Sequence, residues 1–435
     1  MLAGVFIQRD GMEPASFMID LVHPTGNQFV RHLLQALEER GMLGAFHTTL
    51  GFPASTWTRF FPDPIRAECM RRTYPMSSDK LRTRPGREFL RLAAQKLGWS
   101  YLSRHEKGWA SIDQIYQDLD RTVACRIQRG NLGPNVAGMY GYEDGCLETF
   151  RAAKNRGLKC FYDLPIAYWE TVRKLLEEER ERLPEWEPTL VGTRDSLLKL
   201  ERKSAEMALA DVVICPSLFV LQSLPPAVRQ DKHCLVAEFG SPPRNWDAAS
   251  RPSQDSRGSD KLRVLFAGSM TQRKGLADVF AAMKLLNRHD VELIVMGSPL
   301  APMEFYRSQY RDFTYLSTRP HHEVLKLMQS CDVLVLPSLA EGRALVQQEA
   351  LANGLPLIIT ENTGGEDLIV EGKTGFLVPI RSPDKIAEKI SWLADHRASL
   401  PDMRLAAIKK ADEYPWQRYT DRIVSALSTS LRNPA

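Results

Sequence analysis

Two glutamates eight residues apart, Glu341 and Glu349, stand in the stretch Pro337-Ser338-Leu339-Ala340-Glu341-Gly342-Arg343-Ala344-Leu345-Val346-Gln347-Gln348-Glu349-Ala350. What precedes and follows them constrains the fold. The apolar, β-branched run Asp332 to Leu336 reads as a buried strand. After the turn holding Pro337 and Glu341, a short helix is expected from about Arg343 to Ala352, closed by Asn353-Gly354 and ended by Pro356. A strand-turn-helix unit of this kind puts the free N–H groups of Arg343 to Val346 at a positive helix end, where a diphosphate is favoured. Glutamates beside such an anion are acceptors for hydroxyls, which sugars carry in number.

Further segments fit the same pattern. Arg273-Lys274-Gly275 follows the strand-like run Leu262 to Ala267, Thr363-Gly364-Gly365 follows Leu357 to Thr360, and Glu371-Gly372-Lys373-Thr374-Gly375-Phe376-Leu377-Val378 comes next. With the Glu, seven residues, Glu spacing and the following Gly354-Leu355-Pro356, the chain resembles the retaining GT-B glycosyltransferases of family 4. The resemblance covers Leu262 to about His396. In the N-terminal half it rests on Gly26-Asn27 and on Ala210-Asp211-Val212-Val213-Ile214-Cys215-Pro216-Ser217. Two positions depart from the family pattern: Arg343-Ala344 stands where Phe-Gly is usual, and Ser269 where Arg is frequent.

The resemblance implies an α/β fold of the GT-B type, two Rossmann-like doubly wound domains facing across a cleft. The expected division is residues 1–240 for an acceptor domain, 241–260 for a linker dense in Pro, Ser, Gly and charge, 261–413 for a nucleotide-sugar donor domain, and 414–435 for a helix returning to the N-terminal domain. Expected strands of the first domain are Phe17 to Val22, Ala45 to Thr49, Val136 to Tyr140, Lys159 to Tyr162 and Val212 to Cys215. In the second they are Leu262 to Ala267, Val291 to Met296, Phe313 to Leu316, Asp332 to Leu336 and Leu357 to Thr360, nearly continuous apolar runs that suit a sheet covered by helices on both faces.

Ligands of such sheets bind beyond the carboxyl ends of the strands. By resemblance, Glu349 accepts from the nucleotide ribose and Glu341 meets the transferred sugar. Arg273 and Lys274 neutralise the departing diphosphate, and Gly268, Ser269, Arg343 and the amides of Ala344, Leu345 and Val346 line the donor site. Thr363, Gly364 and Gly365 supply a loop whose backbone can approach a ligand or merely turn the chain. Thr318 to Pro320 are placed near the base. His321 and His322 read as surface residues of a helix start, since adjacent side chains on a helix point apart.

The acceptor side is expected to draw on Gly26 and Asn27, either a close backbone approach or a plain turn, and on Glu143 and Asp163 after the third and fourth strands. Relatives carry His near the position of Asp163, so this residue departs from the family pattern, and a helix-capping or acceptor-binding role is expected for it at least as much as a catalytic one. Asp118-Leu119-Asp120 imitates a metal-binding Asp-x-Asp. It falls inside the helical stretch Ser111 to Gln128, where residues two apart do not share a face, so solvated helix carboxylates are expected and no metal or other cofactor beyond the nucleotide-sugar.

Composition narrows the partners. A formal charge of +4 over 435 residues, 43% hydrophobic and 25% charged, belongs to an ordinary soluble chain of two domains and gives no case for nucleic acid. Seven cysteines without a Cys-x-x-Cys pair suggest buried free thiols. No N-terminal signal pattern and no membrane-length apolar run occur, so a cytoplasmic location is expected. Between Arg59 and Lys107, however, twelve Lys/Arg face five acidic residues, with Phe60, Phe61, Tyr74, Phe89, Trp99 and Tyr101 among them. That stretch is either a solvated face or a peripheral contact with anionic membrane near a glycan or lipid-linked acceptor. A non-catalytic nucleotide-sugar binding subunit and a GT-B epimerase or phosphorylase stay open as alternatives to sugar transfer.

Overall fold

In a computed structural model of the chain, the described residues are 17–53, 69–243 and 261–432. The expected linker from 244 onward, and residues 59–68 of the basic stretch, lie outside them. The chain divides into two compact units, one of Met1–Asp163, Glu201–Val213 and Arg422–Ala435, the other of Leu164–Leu200 and Ile214–Asp421.

The first unit is built on β1 (Met18–Val22), β2 (Leu43–Thr48), the short pair β3 (Phe52–Pro53) and β4 (Thr73–Tyr74), β5 (Leu81–Thr83), β6 (Val136–Tyr142), β7 (Lys159–Asp163) and the start of β8 (Val212–Cys215). Its main sheet runs β5-β2-β1-β6-β7, with parallel registers throughout. β1 therefore has β2 on one side and β6 on the other, and the strand order reverses between β1 and β6. The helix Gln28–Glu39 follows β1 and buries Phe29, Val30, Leu33, Leu34 and Leu37, the apolar stripe expected of a helix covering a sheet.

In the second unit, β9 (His233–Val236) precedes the sheet strands β10 (Leu262–Ala267), β11 (Val291–Met296), β12 (Phe313–Leu316), β13 (Val333–Leu336), β14 (Leu357–Ile359) and β15 (Gly375–Leu377). They form a parallel sheet in the order β12-β11-β10-β13-β14-β15. Every residue of β13 and β14 is buried, as the continuous apolar runs require. Here the order reverses between β10 and β13, so the loops leaving these two strands flank the crevice where doubly wound sheets bind ligands.

Most strands start and end within a residue or two of the sequence expectation. β15 was expected only as part of a motif, since three residues starting with a glycine carry little periodicity. All seven cysteines are free thiols; five are buried, Cys234 is half-buried and Cys125 is exposed. Among the described residues no helix is long and apolar enough to cross a membrane.

Candidate functional site

After β10 the chain turns at Gly268, whose φ of 151° is open to glycine, and a Cβ there would lie 2.9 Å from the Lys274 side chain. Thr271 caps a single 3-10 turn, Gln272–Lys274, its hydroxyl accepting from the Lys274 amide, and Gly275 at φ 78° ends it before the helix Leu276–Leu286. This tight turn presents Arg273 and Lys274 together. After β13 the loop brings Glu341 to meet them: Glu341 Oε1 lies 2.9 Å from Arg273 Nη1 and 2.6 Å from Lys274 Nζ. The two loops are also stitched through their backbones, with Leu339 N–H donating to Arg273 O and Arg273 Nη1 to Ala340 O. Burial alone would raise the Glu341 carboxyl, but the two adjacent cations outweigh it and hold the group below the usual carboxylate range. The triad of two cations and one carboxylate keeps a net positive charge at the strand ends.

The helix expected from Arg343 begins two residues later, at Leu345, with Ala344 as its N-cap in an extended conformation. Arg343 does not point along the helix end. Its buried guanidinium forks onto Asp367, with Nη1–Oδ1 2.7 Å and Nη2–Oδ2 3.0 Å, donates to Gly364 O and stacks toward Tyr414. Such bidentate pairing fixes both planes, so this departure from the family pattern ties the loop after β13 to the loop after β14. The Ala344 amide is likewise engaged, by Thr363 O at 3.4 Å. Leu345 and Val346 occupy the first helical turn, where N–H groups have no intrahelical partner. Glu349 sits a turn further on, mostly buried, with His321 Nδ1 3.7 Å from its carboxylate; burial raises its pKa and His321 opposes the rise. His321 and His322 are exposed at the start of the helix His321–Ser330, as expected. Ser298 and Thr318, at the ends of β11 and β12, share a hydrogen bond of 2.9 Å.

The glycines near Glu341 are there for close packing. A Cβ on Gly364 would lie 2.0 Å from Gly342 O, and one on Gly342 would lie 1.7 Å from Pro165 O. Thr363 donates to Leu336 O and Thr360 to Ser338 O, binding the ends of β13 and β14 together. Gly365 abuts the Gln347 side chain.

One supporting residue escaped sequence reading. Gln272, fully buried, uses every polar atom of its side chain: Nε2 donates to Glu179 at 2.6 Å and Asp278 at 2.9 Å, and Oε1 accepts from Ala277 N–H, while its own amide donates to Thr189 Oγ1. Arg182 bridges Glu179 and Asp278, and Arg381 also reaches Glu179. Trp186, in the same stretch of chain as Arg182, packs against Phe280, Phe305 and Tyr306. Gln272 immediately precedes Arg273, so this network anchors the basic turn from behind. Glu179 and Thr189 lie 93 and 83 residues away in sequence and left no local signal.

The corresponding crevice of the first unit lies at the ends of β1 and β6. His23 is buried, its ring edge-on to Tyr142 at 4.7 Å; Nδ1 accepts from Thr25 N–H, and burial lowers its pKa to about 3. The neutral ring is therefore an acceptor at Nδ1. At Gly26 a Cβ would lie 2.2 Å from the Tyr74 ring, so this glycine admits a tyrosine. Asn27 is exposed at the cap of the helix Gln28–Glu39 and makes no side-chain capping bond. After β6, Glu143 N–H donates to Asp163 O, and Lys203 Nζ stands 3.4 Å from the Glu143 carboxylate. Asp163 ends β7 with Oδ2 accepting from Tyr140 Oη at 2.6 Å; burial pushes its pKa up to about 7 despite that bond.

Asp118 and Asp120 correct the expectation of two solvated helix carboxylates. Their helix runs Ile112–Gln128 with Ser111 as its N-cap, and Asp118 pairs with Arg84. Asp120 is fully buried: it accepts from the amides of Glu148 and Thr149 and pairs with Arg202. Glu206, equally buried, accepts from the amides of Asp144, Cys146 and Leu147. The two carboxylates thus occupy the N-terminus of the helix Leu147–Lys154, where the helix dipole favours them.

Residues 250–413 match the profile of the family described as glycosyl transferases group 1. A stretch of 181 residues is 30% identical to a D-inositol 3-phosphate glycosyltransferase of Paenarthrobacter aurescens, covering 39% of this chain and 44% of that protein. A stretch of 183 residues is 26% identical to the putative colanic acid biosynthesis glycosyltransferase WcaL of Salmonella typhimurium. Each alignment spans less than half of the curated relative's length. In fold, the whole chain is similar to the sucrose-phosphate synthase of Thermosynechococcus elongatus, with TM-score 0.64, 16% identity, 95% of this chain and 98% of that one covered. A UDP-forming trehalose-phosphate synthase of Burkholderia xenovorans gives 0.62 at 14% identity, over 96% of this chain and 99% of that one. Anabaena HepE, solved with UDP-glucose, gives 0.58 at 14% identity, over 95% of this chain and 99% of that one. The chain therefore has the GT-B fold, and its segment 250–413, which carries Arg273, Lys274, Glu341 and Glu349, is a domain of the glycosyl transferases group 1 family.

Proposed function

We propose that the chain is a glycosyltransferase that moves a sugar from a nucleotide-diphosphate donor to a hydroxyl acceptor, a glycan or a lipid-linked glycan, with retention at the anomeric carbon. The observation that carries this reading is the contact of Arg273 and Lys274 with Glu341 at the reversal point of the second sheet. Two cations sharing one carboxylate leave a net positive charge for a diphosphate, and a carboxylate so held stays ionised to accept from sugar hydroxyls. Solved structures of the same fold in complex with UDP and UDP-glucose favour a uridine diphosphate sugar as donor.

In the reaction the bond from the anomeric carbon to the phosphate oxygen breaks while one to the acceptor oxygen forms on the same face. The acceptor proton passes to the leaving phosphate oxygen. Positive charge develops on the sugar and negative charge on the diphosphate, and Arg273 and Lys274 stabilise the latter. No divalent metal is required on this reading. Thermal shift against a panel of nucleotide-sugars selects the donor, because a ligand that binds only the folded chain raises its melting temperature. NMR of the product, or of the slow hydrolysis product, then gives the anomeric configuration. A donor that binds but is neither hydrolysed nor transferred would instead indicate a binding subunit.

A further inference from the structure

We infer that the face formed by the helix Gly86–Leu97 and the turns after it, to residue 112, is a docking surface for an anionic phospholipid bilayer. Large apolar side chains here are turned outward. Phe89, Leu97, Trp99, Tyr101 and Trp109 are 44–69% exposed, and Ile112 is exposed beside them. The helix itself buries only Glu88 and Ala94. Phe89 and Leu97 stand eight residues apart, two turns along one face, with the exposed Lys96 next to them. An outward apolar face is unusual on a helix whose unit already has a core of its own.

Charge identifies the occupant. From residue 69 to 112 there are ten Lys/Arg against Asp79, Glu88 and Glu106. Glu88 is used internally, between Arg72 and Arg91. Lys96, Arg104 and Lys107 are exposed and carry no ion pair among the described residues. Arg87 lies with its guanidinium over the Trp109 ring at 4.4 Å, which holds the indole in a fixed attitude. Cations alternating with Trp, Tyr and Leu over residues 96–109 suit the boundary between headgroups and acyl chains, where aromatic rings seat and Lys and Arg reach the phosphates. Nucleic acid would use the rings for stacking but offers nothing to Leu97 and Ile112.

The surface needs no assumption about the reaction. Only its consequence, that the acceptor is lipid-linked, rests on the proposed sugar transfer. The full chain is sedimented with phosphatidylcholine vesicles with and without phosphatidylglycerol, at low and high salt. We expect binding to the anionic vesicles at low salt and its loss at high salt, since cations near the surface act within a Debye length. Trp99→Ser with Tyr101→Ser should reduce partitioning about tenfold or more, and Lys96→Glu with Lys107→Glu should abolish the dependence on phosphatidylglycerol. All four side chains are exposed, so thermal unfolding of the variants should match the parent. Absence of binding at low salt, binding unchanged in the Trp99 and Tyr101 variant, or displacement of bound protein from vesicles by single-stranded RNA would each overturn the assignment. None of these outcomes involves the donor, so they are read independently of the sugar-transfer proposal.

Discussion

The two sheets reverse their strand order in the same way, yet their reversal points carry opposite chemistry. At the ends of β10 and β13 stand two cations and a carboxylate kept ionised by them; at the ends of β1 and β6 stand a neutral histidine and tyrosines, with Asp163, whose carboxyl pKa burial raises to about 7, at the end of the neighbouring β7. The topology supplies a crevice in each case, and side-chain charge decides what enters it. A positive crevice suits a diphosphate. An aromatic and hydrogen-bonding one suits an uncharged, hydroxyl-bearing molecule.

The contrast is broken most severely by removing the positive side. Arg273→Ala with Lys274→Ala should lower turnover with the best donor about a hundredfold or more, given the roughly 10²–10³-fold losses that follow removal of a single charge-stabilising donor. Rates within a few fold of the parent would show that the diphosphate sits elsewhere. The two glutamates should separate in kind. Glu341→Gln is expected to reduce kcat more than donor affinity, whereas Glu349→Ala should weaken donor binding by about 1.5–3 kcal/mol, the worth of a hydrogen bond to a charged group. Calorimetric titration alongside steady-state kinetics distinguishes them, and identical profiles would remove the division of roles.

Support for the basic turn can be tested without substrate. Arg182→Met leaves the buried carboxylates of Glu179 and Asp278 facing each other beside Gln272 with one cation fewer; because Arg182 is itself exposed and Arg381 still reaches Glu179, the expected cost is about 1–3 kcal/mol. Chemical denaturation measures the loss. An unchanged midpoint would mean that the network is solvated in solution.

On the neutral side, Asp163 gives a pH signature. With a folded pKa of about 7 against an ordinary value of 3.8, the folded chain holds a proton that the unfolded chain has released, so stability falls as pH rises through that window. Asp163→Asn cannot ionise and still accepts from Tyr140. At pH 8 it should be more stable than the parent by on the order of 1–3 kcal/mol, with the difference vanishing near pH 4. Equal stability of both chains across the range would contradict the buried, protonated carboxyl. Glu206, raised to about 8 by burial against the opposing charge of Arg202, adds to the same fall and remains in the Asn variant. The smallest expected effect is that of a chelator: EDTA should leave turnover unchanged, and loss restored by magnesium or manganese would reopen the question of a metal.

How much of this was legible depended on whether the signal was local. β13 is a continuous apolar run and β10 and β11 are broken only by Arg263 and Glu292, so all three were visible as strands, and the spacing of Glu341 and Glu349 marked the turn and helix between them. Arg343 was legible as a residue but not as a contact. Only the fold brings Asp367 within reach of its guanidinium. Asp120 looked like a solvated helix residue because nothing near it in sequence shows that the amides of Glu148 and Thr149 converge on it. Gln272 is the same case: its partners lie in the helix Trp169–Arg182 and at Asp278, and a lone glutamine before Arg-Lys carries no pattern.

The most direct measurement compares the affinities of UDP and uridine for the parent chain and for the Arg273→Ala, Lys274→Ala variant. If the two cations hold the diphosphate, UDP binding should weaken at least about a hundredfold while uridine binding stays the same, because only the charged part of the ligand has lost its partners. UDP affinity unchanged in the variant, or an equal loss for uridine, would contradict the assignment of this crevice to the donor.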